Sequence, residues 1–87
     1  MYVILVYDFE QKRVGKALKI CRRFLNWVQN SVFEGELTES KLKTLKMELK
    51  KLMHPEKDAI LLYRVRDKSM LQIENMGVEK NTPDQFL

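Results

Sequence analysis

Met1-Tyr-Val-Ile-Leu-Val-Tyr7, followed at once by Asp8, is the stretch that decides the fold. A continuous β-branched and aromatic run of this length suits a central strand that is buried on both faces. It ends sharply at a carboxylate. From Val14 the period changes, and Val14, Ala17, Leu18, Cys21, Phe24 and Leu25 recur at helical spacing. Lys12, Arg13, Lys16, Lys19, Arg22 and Arg23 fall mostly elsewhere, so the helix has a basic outer face.

Working outward, residues 26–37 read as extended, as two short strands or one long bent one. Val28, Asn30 and Val32 alternate with Trp27, Gln29, Ser31 and Phe33 before Gly35 interrupts the run. Thr38 is placed as an N-cap with Glu39 in the first turn, and Leu42, Leu45, Leu49 and Leu52 continue a second amphipathic helix. His54-Pro55 ends it, because the residue before proline is pushed out of helical geometry. Residues 58–66 supply another strand. Asp67-Lys-Ser69 is expected to be a hairpin turn leading into a strand over residues 70–76. The chain then turns polar and closes with Phe86-Leu87, which either pins a partner protomer or frays.

The order strand, helix, extended pair, helix, strand, strand predicts an α+β chain. Its simplest form is a ferredoxin-like βαββαβ sandwich with an additional C-terminal strand. The expected domain spans residues 1–78, with 79–87 as a tail. Helices on one face leave the other face of the sheet bare, yet the first strand is apolar on both. A second copy packed sheet to sheet about a twofold axis is the economical cover.

Composition narrows the class. The 87 residues make one domain, and 45% hydrophobic content supports a packed core. Cys21 is the single cysteine, which excludes an intrachain disulfide and a cysteine zinc cluster and points to the reducing cytoplasm. The opening apolar run is far shorter than the roughly 20 residues of a membrane span, and its flanks do not match a signal peptide. No membrane partner is expected. A net charge of +4 is compatible with a phosphate-rich partner.

Three segments carry a family resemblance: Tyr2-Val-Ile-Leu-Val-Tyr-Asp8 before a basic helix, Trp27-Val-Gln-Asn-Ser-Val-Phe-Glu-Gly-Glu-Leu37, and Asp58-Ala-Ile-Leu-Leu-Tyr-Arg64. The chain resembles the Cas-two family, the small CRISPR-associated adaptation proteins. The resemblance implies a ferredoxin-like homodimer whose C-terminal strand, beyond Ile73, lies on the partner's sheet. It also implies one of two roles. One is a metal-dependent endonuclease acting on RNA or DNA. The other is a non-catalytic adaptor in spacer acquisition that holds duplex DNA and bridges Cas-one integrase subunits.

Asp8 carries the enzymatic reading. Mg²⁺ takes one or two carboxylates plus phosphate oxygens, so a twofold axis joining two Asp8 side chains would create a shared site. The plain alternative is a capping box, Asp8-Phe-Glu-Gln11. Lys12, Arg13, Lys16, Arg22 and Arg23 are candidates for sequence-independent phosphate contacts, with Arg13 preferred for steadying a scissile phosphate. A solvated helix surface is the alternative. Tyr7, Ser31 and Phe33 are assigned supporting roles, Ser31 positioning a water or phosphate and Phe33 packing beneath. Ordinary sheet and core positions are their alternative. Cys21 and Trp27 read as buried or interface residues, and His54, the single histidine, as a helix-end residue.

Overall fold

The computed structural model describes residues 1–78. The expected tail, 79–87 with Phe86-Leu87, lies outside the described residues. The elements are β1 (Tyr2–Asp8), α1 (Gln11–Arg22), β2 (Asn26–Gln29), β3 (Val32–Glu36), α2 (Glu39–Leu52) and β4 (Ala59–Val65). They form one four-stranded antiparallel sheet in the order β2-β3-β1-β4. This is the ferredoxin-like topology, with the first apolar run as an inner strand between β3 and β4.

Alternation along β1 divides its side chains between two faces. Val3, Leu5 and Tyr7 point to the helices and join Phe33, Ala17, Cys21, Leu42, Leu45 and Leu49 in the core. Each such large side chain stabilises the fold by roughly 1.5–3 kcal/mol relative to exposure. Burial alone pushes the Cys21 thiol up to about 12, so it is a packing residue. Gly35 lies opposite Val3, where a Cβ would stand 3.2 Å from Leu25 Cδ2, and the missing side chain lets Leu25 close the core.

The other face of β1 carries Tyr2, Ile4, Val6 and Asp8. Register places these beside Val65, Tyr63, Leu61 and Ala59 of β4. Leu61 and Tyr63 are 54% and 55% exposed on this helix-free face. Tyr2 is covered there. The Lys68 ammonium sits 5.4 Å from its ring centroid, and burial, with hydrogen bonding to Glu34, pushes its hydroxyl up to about 12.

Residues 26–37 resolve into a β-hairpin. Asn30 and Ser31 form its two-residue turn, with Asn30 in the left-handed region at φ 43°. Asparagine tolerates that conformation better than most residues. The register slips between Trp27 and Gln29, and the Trp27 indole N–H donates to the Asn30 carbonyl at 2.9 Å. Thr38 caps α2 as expected, accepting from the Lys41 N–H at 3.1 Å.

Two expectations are corrected. Helix α1 begins at Gln11, and its capping position is Glu10, which makes no side-chain cap bond. Asp8 is therefore the last residue of β1, and its capping-box reading falls. The expected hairpin at Asp67–Ser69 is instead a one-turn 3₁₀ helix, Lys68–Met70. The Asp67 carboxylate accepts from the Ser69 N–H at 2.9 Å and winds the chain into a helical turn rather than a reversal. Among the described residues, 71–78 pair with no strand, so the strand expected over residues 70–76 is not formed.

Candidate functional site

The end of β1 is where the chemically suggestive side chains meet. Asp8 is exposed on the helix-free side, and among the described residues its carboxylate has no hydrogen-bond or ion-pair partner. It opens onto a shallow recess of about 340 Å³ lined by Tyr7, Phe9, Val14, Asn30 and Ser31. The hairpin turn forms one wall because the Tyr7 N–H donates to the Ser31 carbonyl at 3.1 Å. Ser31 thus stands beside Asp8 and lies in the turn, not within a strand.

Beneath the recess is an aromatic stack. Tyr7 packs edge-on to Phe9 at 5.5 Å and nearly parallel to Phe33 at 6.2 Å between centroids. Phe33 is fully buried, so it supports the site from below and touches no solvent. Burial raises the Tyr7 hydroxyl above its ordinary value, which keeps it protonated.

The basic residues of α1 separate. At about 100° per residue, Lys12 and Lys16 share one outward stripe, while Arg13 and Arg22 lie on opposite flanks. Lys12, Lys16 and Arg22 are exposed. Arg22 borders a second groove that continues the recess past Tyr7, Val14, Leu18, Trp27 and Asn30. Arg23 is turned to α2, where it pairs with Glu48.

Arg13 is committed inside the fold. Its Nε donates to Asp58 Oδ2 at 2.5 Å, and its Nη2 to Asp58 Oδ1 and Glu10 Oε1, both at 2.9 Å. The guanidinium serves this pair in the isolated chain, and no phosphate is needed to explain its orientation. Sequence reasoning misses Asp58, which reads there as no more than the start of a strand. A lone aspartate between a proline turn and an apolar run is the only local hint, and nothing in the sequence links it to a residue 45 positions away.

Hydrogen bonds from Arg13 hold the Asp58 carboxyl well below the usual carboxylate range. Burial opposes them, and the N–H groups of His54 and Glu10 reinforce them. A folded-state value depressed below the unfolded one, about 3.9, contributes stability that is complete above the unfolded value and lost progressively as pH falls from there toward the folded one. The urea midpoint is therefore expected to drop as pH is lowered below about 4. Asp58→Asn should flatten that dependence, as equilibrium unfolding at pH 3 to 7 will show.

Metal fit follows from the donor set. Among the described residues no group of three or more His, Cys, Asp or Glu side chains converges. Asp8 is the single carboxylate that lines the recess among the described residues. That suits a hard, well-hydrated cation completed by a second chain and by phosphate, not an all-protein cage. His54, the single histidine, does not line the recess. Its Nδ1 accepts from the Glu56 N–H at 3.2 Å in the α2–β4 loop.

Comparison with known proteins agrees with this fold. Residues 1–73 match the family model described as CRISPR associated protein Cas2. A CRISPR-associated endoribonuclease Cas2 from Thermotoga maritima is 48% identical over 80 residues, 92% of each chain. Its counterpart from Dictyoglomus turgidum is 42% identical over 87 residues, the full length of both. A solved structure described as that of cas2 superposes with a TM-score of 0.86 at 39% identity, covering 94% of this chain and 92% of the other. No helix among the described residues is long and apolar enough to cross a membrane.

Proposed function

The chain belongs to the family of CRISPR associated protein Cas2, and from that premise we propose that it is a Mg²⁺-dependent endonuclease of CRISPR adaptation. It acts on phosphodiester bonds of RNA or DNA through a symmetric pair of Asp8 carboxylates in a homodimer, within the cytoplasm. One observation carries this reading. Among the described residues Asp8 is exposed and without a side-chain partner, at the end of the strand whose helix-free side runs beside the exposed Leu61 and Tyr63. Packing two such faces about a twofold axis offers a way to bring the two carboxylates together and gives residues 71–78 a neighbouring sheet to join.

When bound, the metal polarises a phosphoryl oxygen and makes a water more acidic. The protein's own part is positional. Asp8 from each protomer supplies oxygens, Tyr7 and Phe33 keep the strand end rigid, and Ser31 lines the recess. Lys12, Lys16 and Arg22 hold backbone phosphates. The relatives named as endoribonucleases support RNA as one substrate.

Such phosphate contacts are read by salt. The slope of log affinity against log salt scales as roughly −0.9 per phosphate neutralised on a duplex. Combined Lys12→Ala, Lys16→Ala and Arg22→Ala should make that slope shallower by about 2 to 3, with the loss independent of base sequence. Fluorescence anisotropy between 50 and 300 mM salt, on the order used for such titrations, tests this. An unchanged slope removes α1 from the interface.

A second reading is favoured by the recess itself, where among the described residues Asp8 is the single carboxylate and no histidine lines the wall. It is the non-catalytic adaptor that binds duplex DNA and bridges Cas-one integrase subunits. Purified protein assayed with Mg²⁺ and with EDTA separates the two. Metal-dependent cutting supports the endonuclease. A dimer that binds DNA and co-purifies with the integrase without cutting supports the adaptor.

A further inference from the structure

We propose that Asp58 is a positioning residue for Asp8, and that Arg13 acts on the site through Asp58 and not by touching phosphate. The inference rests on the reading of Asp8 as the metal-site carboxylate. Its geometric part stands by itself.

Four donors converge on the Asp58 carboxylate. The Glu10 N–H and Arg13 Nη2 reach Oδ1, both at 2.9 Å. The His54 N–H reaches Oδ2 at 2.8 Å and Arg13 Nε the same oxygen at 2.5 Å. The Asp58 side chain is 0% exposed, so water has no route to replace any of them. These donors belong to the β1–α1 connection, the first turn of α1 and the α2–β4 loop. One buried side chain therefore ties together the segments that bound the end of β1.

Asp8 sits between those ties. It pairs across the sheet with Ala59, the residue after Asp58, and Glu10 follows it by two positions. Its own side chain contributes no anchor, so backbone alone sets where the carboxylate stands. The last pair of a ladder is where strands open first. Asp58 clamps one flank of that pair, as the Tyr7–Ser31 backbone bond holds the other. Arg13 completes the clamp because its planar fork matches both carboxylate oxygens, which a lysine point charge does not.

Asp58→Asn keeps the shape but replaces one oxygen with an NH₂ group, so two of the four donors lose their acceptor. Full-length wild type, Asp58→Asn, Arg13→Lys and the distant cap variant Thr38→Ala are compared by hydrogen exchange and by Mn²⁺ titration. In Asp58→Asn, amide exchange over residues 8–14 and 53–60 is expected to rise about tenfold or more, while β3 and the centre of α2 are unchanged. Mn²⁺ affinity should fall about 10- to 100-fold, the usual cost of losing a partner that orients a ligand. Arg13→Lys should behave as Asp58→Asn does. Preserved exchange protection in Arg13→Lys with lost nucleic-acid affinity would instead make Arg13 a phosphate contact and overturn the proposal. A uniform rise across the sheet, as in Thr38→Ala, would reduce Asp58 to general stability and overturn it as well. If wild type binds no Mn²⁺, the metal reading of Asp8 fails, and the exchange pattern still decides the clamp. Should Asp58→Asn not fold, the exchange pattern of Arg13→Lys decides the same question.

Discussion

Asp8→Asn is expected to abolish Mg²⁺-dependent cleavage, by on the order of 10²–10³-fold or more in kcat, with no loss of folded protein. The substitution is nearly isosteric and removes only the charge. Asp8 is exposed and has no side-chain partner among the described residues, so its stability cost should stay within about 0.5 kcal/mol. In a dimer the change removes both charges at once. Apo self-association should be unweakened or slightly stronger, since two facing carboxylates repel until a cation lies between them. Single-turnover cleavage, Mn²⁺ titration and sedimentation on the same preparations test all three outcomes. Full cleavage by the purified variant ends the hydrolytic proposal.

Pairing Leu61→Arg with Tyr63→Arg should convert the dimer to a monomer, weakening self-association at least about 100-fold. Both side chains are more than half exposed on the helix-free face, where they flank Ile4 and Val6 of β1. The alternate residues of the same strand, Ile60 and Leu62, pack against the core and are untouched, so the monomer should keep its fold. Two arginines per protomer would be desolvated and set against their own symmetry mates, a cost that apolar contact area does not offset. Cleavage should disappear with the dimer, because the carboxylate pair cannot then assemble. Light scattering and circular dichroism separate loss of association from loss of structure. A variant that remains dimeric moves the interface away from this face and with it the paired site.

The acidic and basic residues are unequally legible in the sequence. Asp8 stands out because it ends an apolar run, and the structure keeps it exposed at that strand end. Arg13 looks like one of five surface cations, yet it turns inward to a carboxylate whose importance no local pattern announces. Arg23 likewise spends its charge on Glu48 of α2. Helical periodicity tells which face a residue occupies and not what waits opposite it. The Asp67–Ser69 segment departs from expectation for a related reason. The residues that favour a hairpin turn also favour an Asx-started helical turn, and the choice between them lies in what the following chain finds to pair with.

By itself, then, the chain's pattern of apolar residues determined the order of the first six strands and helices, the membership of the core and the position of one exposed carboxylate. These are properties of neighbouring residues, set by a period of two or of 3.6. Only the tertiary structure decided that Arg13 belongs to Asp58, that Ser31 walls the recess beside Asp8, and that Glu34 and Glu36 share the helix-free face with the apolar strip of β1 and β4. Those facts depend on register between segments distant in the chain, where a slip of one residue would send every side chain to the opposite face.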